Sequence, residues 1–151
     1  MNRPLYETPA DLERETDVVK IFETAWDVSM IKLPIQYKLD YMVTRNDKLL
    51  SFCEIKSKKD YPFENLDRNG GFAFSLAKWI AAEEMCKAAN KSFILIVKLT
   101  DGLYYSRFGV GHHPFKPDDV IISGRIDRGD WQDVEPMVVI RMEKFKKQKD
   151  S

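Results

Sequence analysis

The chain has 151 residues, with 24 Lys and Arg against 24 Asp and Glu, two His and two Cys. A formal net charge of zero argues against a protein that coats nucleic acid through bulk positive charge, although bases can still cluster locally. The length suits one domain over 1–151 with a real core, and no apolar run approaches the ~20 residues that span a bilayer. The N-terminal MNRPLYETPADLERE has neither an apolar signal core nor a basic amphipathic transit pattern, so the expectation is a cytoplasmic protein without membrane contact. Cys53 and Cys86 have no second metal-type ligand nearby in sequence and read as two buried thiols of a reducing compartment.

Residues 1–10 read as a polar lead-in. Thr8-Pro9 followed by Ala10-Asp11 has the form of a helix start, with a capping hydroxyl, proline at the first helical position and an acid in the first turn. The helix is expected to run to about Val28. Leu12, Val19, Phe22 and Trp26 mark its apolar face, with Glu15 in the middle of that stripe and Glu23 nearer its edge. An acid directed into a core is costly unless it is paired or binds a cation; either Glu also fits a boundary position from which it reaches water.

Ile31 to Pro34 leads into a first strand. Tyr37, Leu39, Tyr41 and Val43 form its apolar side, and Gln36, Lys38, Asp40 and Met42 the other. Arg45-Asn46-Asp47-Lys48 is turn chemistry, and Leu49 to Ser57 is the second strand. Alternation puts Glu54 and Lys56 on one face and Ile55 on the other. A hairpin that brings Asp40 and Glu54 together, with the Lys56 ammonium beside them, suits a hard divalent cation such as Mg²⁺. Such an ion polarises a phosphoryl oxygen and acidifies a bound water, which Lys56 would orient.

Ser57 to Gly71 has no clear periodicity and follows the candidate site directly. It reads as a loop whose Lys58, Lys59 and Arg68 face phosphates, or as a plain surface loop. Phe72 to Asn90 reads as a single helix. Leu76, Ile80, Ala81, Met85 and Ala88 form its buried face, and Asn90 its C-terminal cap. Phe93 to Leu99, FILIVKL, is expected to be a strand covered on both faces, turning at Asp101-Gly102 into a hairpin partner, Leu103 to Phe108. His112-His113 lacks the spacing and company of a zinc site. Ile121–Ile126 and Met137–Met142 read as a further strand pair around a solvated acidic connection, and Lys144, Lys146, Lys147 and Lys149 as a basic tail over 144–151.

Asp40, a turn, and a second strand ending in Glu54-Ile55-Lys56 resemble the signature of the PD-(D/E)XK nuclease superfamily, with Leu39 where the proline usually stands. The order of helix, hairpin, helix and strand from about Asp11 to Phe108 is similar to the superfamily core, and the later stretches resemble small phage-encoded members. The resemblance implies an α/β fold with a restriction-endonuclease-like core, a central mixed β-sheet flanked by helices. It implies a metal-dependent DNA endonuclease hydrolysing phosphodiester bonds, with Mg²⁺ or Mn²⁺ held by Asp40, Glu54 and the Ile55 carbonyl. A third acid from near the start of the first helix selects Glu15, with Glu23 as the alternative. A polar or basic residue early in the later helix selects Lys78 for catalysis and Ser75 for substrate contact. DNA is the implied partner, and a homodimer is expected because so small a chain grips little DNA alone. The competing readings are a catalytically inactive nuclease fold that binds nucleic acid or protein, and a small protein that acts on a partner protein.

Overall fold

The computed structural model describes residues 9–34, 39–58, 60–124 and 134–149. The first helix, α1 (Pro9–Trp26), begins at the proline, as its start signal predicts. It lays Val18, Val19 and Phe22 on the sheet behind it. Two short strands follow, β1 (Ser29–Lys32) and β2 (Tyr41–Arg45), and then the long β3 (Lys48–Ser57). Asn46 and Asp47 both have positive φ, 52° and 61°, the backbone of a two-residue hairpin turn that matches strand twist.

Two sequence expectations shift in this region. Residues 35–38, the start of the expected first strand, lie outside the described residues. Asp40 sits in a bend just before β2, not inside a strand. That bend breaks the alternation, so Leu39 packs in one core while Tyr41 and Val43 pack in the other. Finally, the stretch expected only to lead in contains β1, which pairs antiparallel with β2 from Ser29↔Thr44 to Lys32↔Tyr41.

Ser57 to Gly71 contains a helix, α2 (Phe63–Arg68), too short for periodicity to reveal. It is pinned by buried Leu66 and by Phe63, which stacks on Tyr104 with ring centroids 4.9 Å apart. The expected helix from Phe72 is two elements, β4 (Phe72–Ser75) and α3 (Leu76–Ala89). Phe72 and Phe74 alternate inward as a strand requires, and the Ser75 side chain caps α3 by accepting the Lys78 N–H. Asn90 ends α3 in the left-handed region at φ 56°, as expected of a C-cap. The buried face of α3 is Trp79, Ala82 and Cys86; Ile80 is 45 % exposed. The expected stripe was one residue out of phase, because apolar residues run nearly all round this helix.

β5 (Ser92–Leu99) and β6 (Gly102–Gly109) form the expected hairpin. Phe93, Leu95 and Val97 pack on one side of β5, and Ile94 and Ile96 on the other. Burying each such side chain contributes about 1.5–3 kcal/mol. β7 (Asp119–Gly124) and β8 (Val134–Ile140) pair antiparallel, and most of the acidic connection expected between them lies outside the described residues. The expected basic tail is in part structured. A 3₁₀ turn at Met142–Lys144 leads to β9 (Lys146–Gln148), which adds to the edge of β6.

Among the described residues the strands make two sheets. One has the order β1-β2-β3-β5-β6-β9 and is antiparallel except where β3 runs parallel to β5; the other has the order β4-β8-β7. The parallel pair requires a crossover, which α3 supplies. α1 covers one face of the larger sheet; α3 and the smaller sheet cover the other. Glu54 and Lys56 alternate with Cys53 and Ile55 and face the α3 side. Both cysteines are free and buried.

Candidate active site

Asp40 and Glu54 meet at the end of the β2–β3 hairpin. The Asp40 N–H donates to Glu54 Oε2 at 2.8 Å, and the Ile55 N–H donates to Asp40 Oδ2 at 3.4 Å. Each acid is thus held by the backbone beside the other, which pins the bend to the strand end. Glu54 has no exposed surface. Its Oε1 takes the Lys78 ammonium, delivered from the first turn of α3, and has Lys56 Nζ at 3.6 Å. Two carboxylates and two ammoniums share one small volume with balanced charge.

Burial pushes the Glu54 carboxyl above its usual range, against the opposing pull of Lys78 and Lys56; Asp40 adds to the rise. Lys56 is pushed down by burial and by the neighbouring Lys78 ammonium. Its side chain is still 39 % exposed, so solvent limits that effect. Lys78 is disfavoured by burial but is raised on balance by the charge of Glu54 and its hydrogen bond to it. Lys78 is therefore the firm cation of the pair, and Lys56 the one that more readily gives up its proton.

A family model described as "Phage putative PDDEXK endonuclease" matches residues 1–148. The chain belongs to this family. A comparison with curated proteins finds no match. Among solved structures, a Holliday junction resolvase from the archaeal hyperthermophile Archaeoglobus fulgidus matches with a TM-score of 0.45 and 13 % identity. The match covers 62 % of this chain and 69 % of the resolvase. The mixed sheet flanked by helices that the PD-(D/E)XK resemblance implies is the fold observed.

In this chain Asp40, Glu54 and Lys56 converge, and Lys78 joins them from a separate element. Glu15 is elsewhere. Its carboxylate takes Lys32 Nζ at 3.2 Å and the Tyr41 hydroxyl. Glu23 is occupied too, accepting the Met30 N–H at 3.0 Å. Among the described residues no third Asp, Glu, His or Cys completes a metal-ready group with Asp40 and Glu54. Ser75 Oγ accepts the Lys78 N–H and donates to Glu135 at 3.4 Å, so it orders the start of α3 beside Lys78. Lys58 follows the site directly, its backbone N–H bonded to the Lys98 carbonyl and its ammonium 5.9 Å from the Phe72 ring centroid. Arg68 is exposed at the end of α2, bonded to Asn65. Lys59 lies outside the described residues. The sequence reading missed the Ser75–Glu135 contact, because these residues are far apart in the chain and Glu135 had looked like part of a solvated connection.

The donor set fits a divalent metal. Asp40 and Glu54 offer hard carboxylate oxygens of the kind Mg²⁺ and Mn²⁺ prefer. A carboxylate as buried as Glu54 demands a cation beside it, and here it draws two of the chain's own ammoniums.

Proposed function

We propose that the 151-residue chain is one nuclease domain that cuts DNA by hydrolysing phosphodiester bonds with a divalent metal. Asp40 and Glu54, with the Ile55 carbonyl, would hold Mg²⁺ or Mn²⁺, and when bound the ion supplies charge neutralisation and a more acidic water. Lys56 positions the attacking water. Lys78 compensates the charge of Glu54, and from the first turn of α3 its ammonium would also face the scissile phosphate. Lys58 and Arg68 supply further cations to the DNA backbone, and Lys59 belongs to the same proposed set. Two chains would act together on a duplex, a point that gel filtration with and without DNA addresses; a monomer under all conditions would refute it.

The observation that carries this reading is the reciprocal pairing of Asp40 and Glu54, 14 residues apart, with two lysines on one oxygen. A second reading, an inactive nuclease fold that binds nucleic acid or protein, is favoured by one feature: both Glu54 oxygens are already satisfied within the chain. Calorimetric titration with Mn²⁺ separates the two. The nuclease reading expects saturable binding that is lost in Asp40→Asn and in Glu54→Gln; binding that survives in both variants, or none in the native protein, contradicts it.

A further inference from the structure

A second charged site lies across the large sheet, at the β6–β9 edge. Arg107 of β6 is paired with Ile94, on the face that α1 covers. Its guanidinium stands 4.4 Å from the Trp26 ring centroid and 5.7 Å from that of Tyr105. Its Nε is buried and, among the described residues, has no hydrogen-bond partner. β9 pairs with β6 only as far as Tyr105↔Lys146. Beyond that point His113 takes over the edge, donating its N–H to the Arg107 carbonyl at 3.2 Å and accepting from Gly109 at 2.8 Å.

Between these two edge segments is an open cavity of about 400 Å³, lined by Tyr105, Arg107, His112, His113, Lys144 and Lys146. Lys144 is neutralised by Asp118 at 3.0 Å. Among the described residues no carboxylate pairs with Arg107 or Lys146. Burial holds His112 below its usual range, and Arg107, His113 and Lys146 push the same way. Arg107 and Lys146, lining one cavity with no acid paired to either, repel one another, and an oxyanion relieves that repulsion. Arginine beside aromatic rings suits phosphate best, because its planar fork donates two parallel bonds while its face stays stacked. The cavity is larger than a phosphate requires and is of the size that holds a small organic ligand.

We propose that this cavity binds the phosphate of a nucleotide unit. Arg107 and Lys146 hold the oxyanion, and Tyr105 and the imidazoles lie against the sugar or base. The unit is either part of a DNA strand or a free nucleotide. The site shares no residue with the Asp40–Glu54 cluster, so it stands even if that cluster proves inert.

The test is NMR of the histidine side chains in EDTA, with dAMP, a short single-stranded oligonucleotide and deoxyadenosine as probes. The expected result is that dAMP, the oligonucleotide or both shift the His112 and His113 signals saturably, while deoxyadenosine does not. Tighter binding of the oligonucleotide identifies a strand backbone as the source of the phosphate; equal or tighter binding of dAMP identifies a free nucleotide. Lys146→Glu, on the exposed edge, is expected to weaken binding by about tenfold or more, the scale of one charged hydrogen bond. Arg107→Gln is the second variant, and circular dichroism checks that both fold. No histidine shift with either phosphate probe, an equal shift with deoxyadenosine, or native affinity in both folded variants overturns the proposal.

Discussion

Removing Lys78 is expected to cost more stability than removing the charge of Glu54, its partner. Lys78→Met leaves a carboxylate with no exposed surface facing only Lys56 at 3.6 Å and the Asp40 N–H. Breaking a buried ion pair from one side costs about 3–5 kcal/mol. The remaining lysine and N–H recover part of that, so a loss of about 2–3 kcal/mol is expected, or on the order of 5–10 °C in Tm for a chain of this size. Glu54→Gln keeps the shape and still accepts the Asp40 N–H. The lysines it releases, 30 % and 39 % exposed, turn to water, so its cost stays below about 1 kcal/mol. Lys78→Met made in the Glu54→Gln background then costs almost nothing, a coupling of about 2 kcal/mol. Urea unfolding of the four proteins in EDTA near neutral pH measures the cycle. Because burial raises the Glu54 carboxyl, the native state takes its proton more readily than the unfolded chain does. Stability from this group is therefore full at low pH and falls as pH rises above the ordinary carboxylate range. The Lys78→Met deficit should accordingly shrink on acidification. A neutral Lys78→Met, or a Glu54→Gln that damages more, refutes this account of the site's electrostatics.

Two further outcomes test the fold. Trp79→Ala should cost about 3–5 kcal/mol, since its side chain is 3 % exposed and meets Phe108 and Phe115. Ile80→Ala, 45 % exposed, should cost below about 1 kcal/mol by the same unfolding assay; the reverse order would restore the buried face that the sequence suggested. Burial pushes Asp118 up, but the Arg141 N–H and Lys144 outweigh it and hold the carboxyl below its usual range. That stability is present above the ordinary Asp pKa and is lost as pH falls through the lowered one. Asp118→Asn should therefore destabilise by about 1 kcal/mol near neutral pH and by nothing in strong acid; a deficit independent of pH would contradict the assignment.

The core of the site was legible because its residues are close in sequence and lie on a hairpin, where alternation and turn chemistry carry the geometry. Alternation and the Asn46-Asp47 turn brought Asp40, Glu54 and Lys56 near one another, but the register shift between Val43 and Thr44, which sets Asp40 opposite Glu54 rather than Cys53, was not legible. Lys78 was reachable only through the family resemblance, since nothing local says that α3 starts over Glu54. The errors have a common physical source in short elements and breaks in regularity. α2 and β4 are too brief to show a period, and β4 runs straight into α3 at a capping serine, so two elements merged into one expected helix. The bend at Asp40 reverses which face Leu39 takes, and no local pattern announces it. Glu15 does lie on the side of α1 that meets the sheet, as the stripe indicated, but Lys32 and Tyr41 occupy it there. β9 looked like a lysine tail because an edge strand exposes most of its side chains, and its pairing with β6 is a matter of backbone register.

The most direct measurement is cleavage of labelled linear, single-stranded and branched DNA in Mg²⁺, Mn²⁺ or EDTA by the native protein, Asp40→Ala and Lys56→Ala. A metal-dependent nuclease built on these residues gives cutting that requires the metal and vanishes in both variants. Cutting that persists in EDTA or in Asp40→Ala, or no cutting of any substrate by a protein that also binds no Mn²⁺, would contradict it.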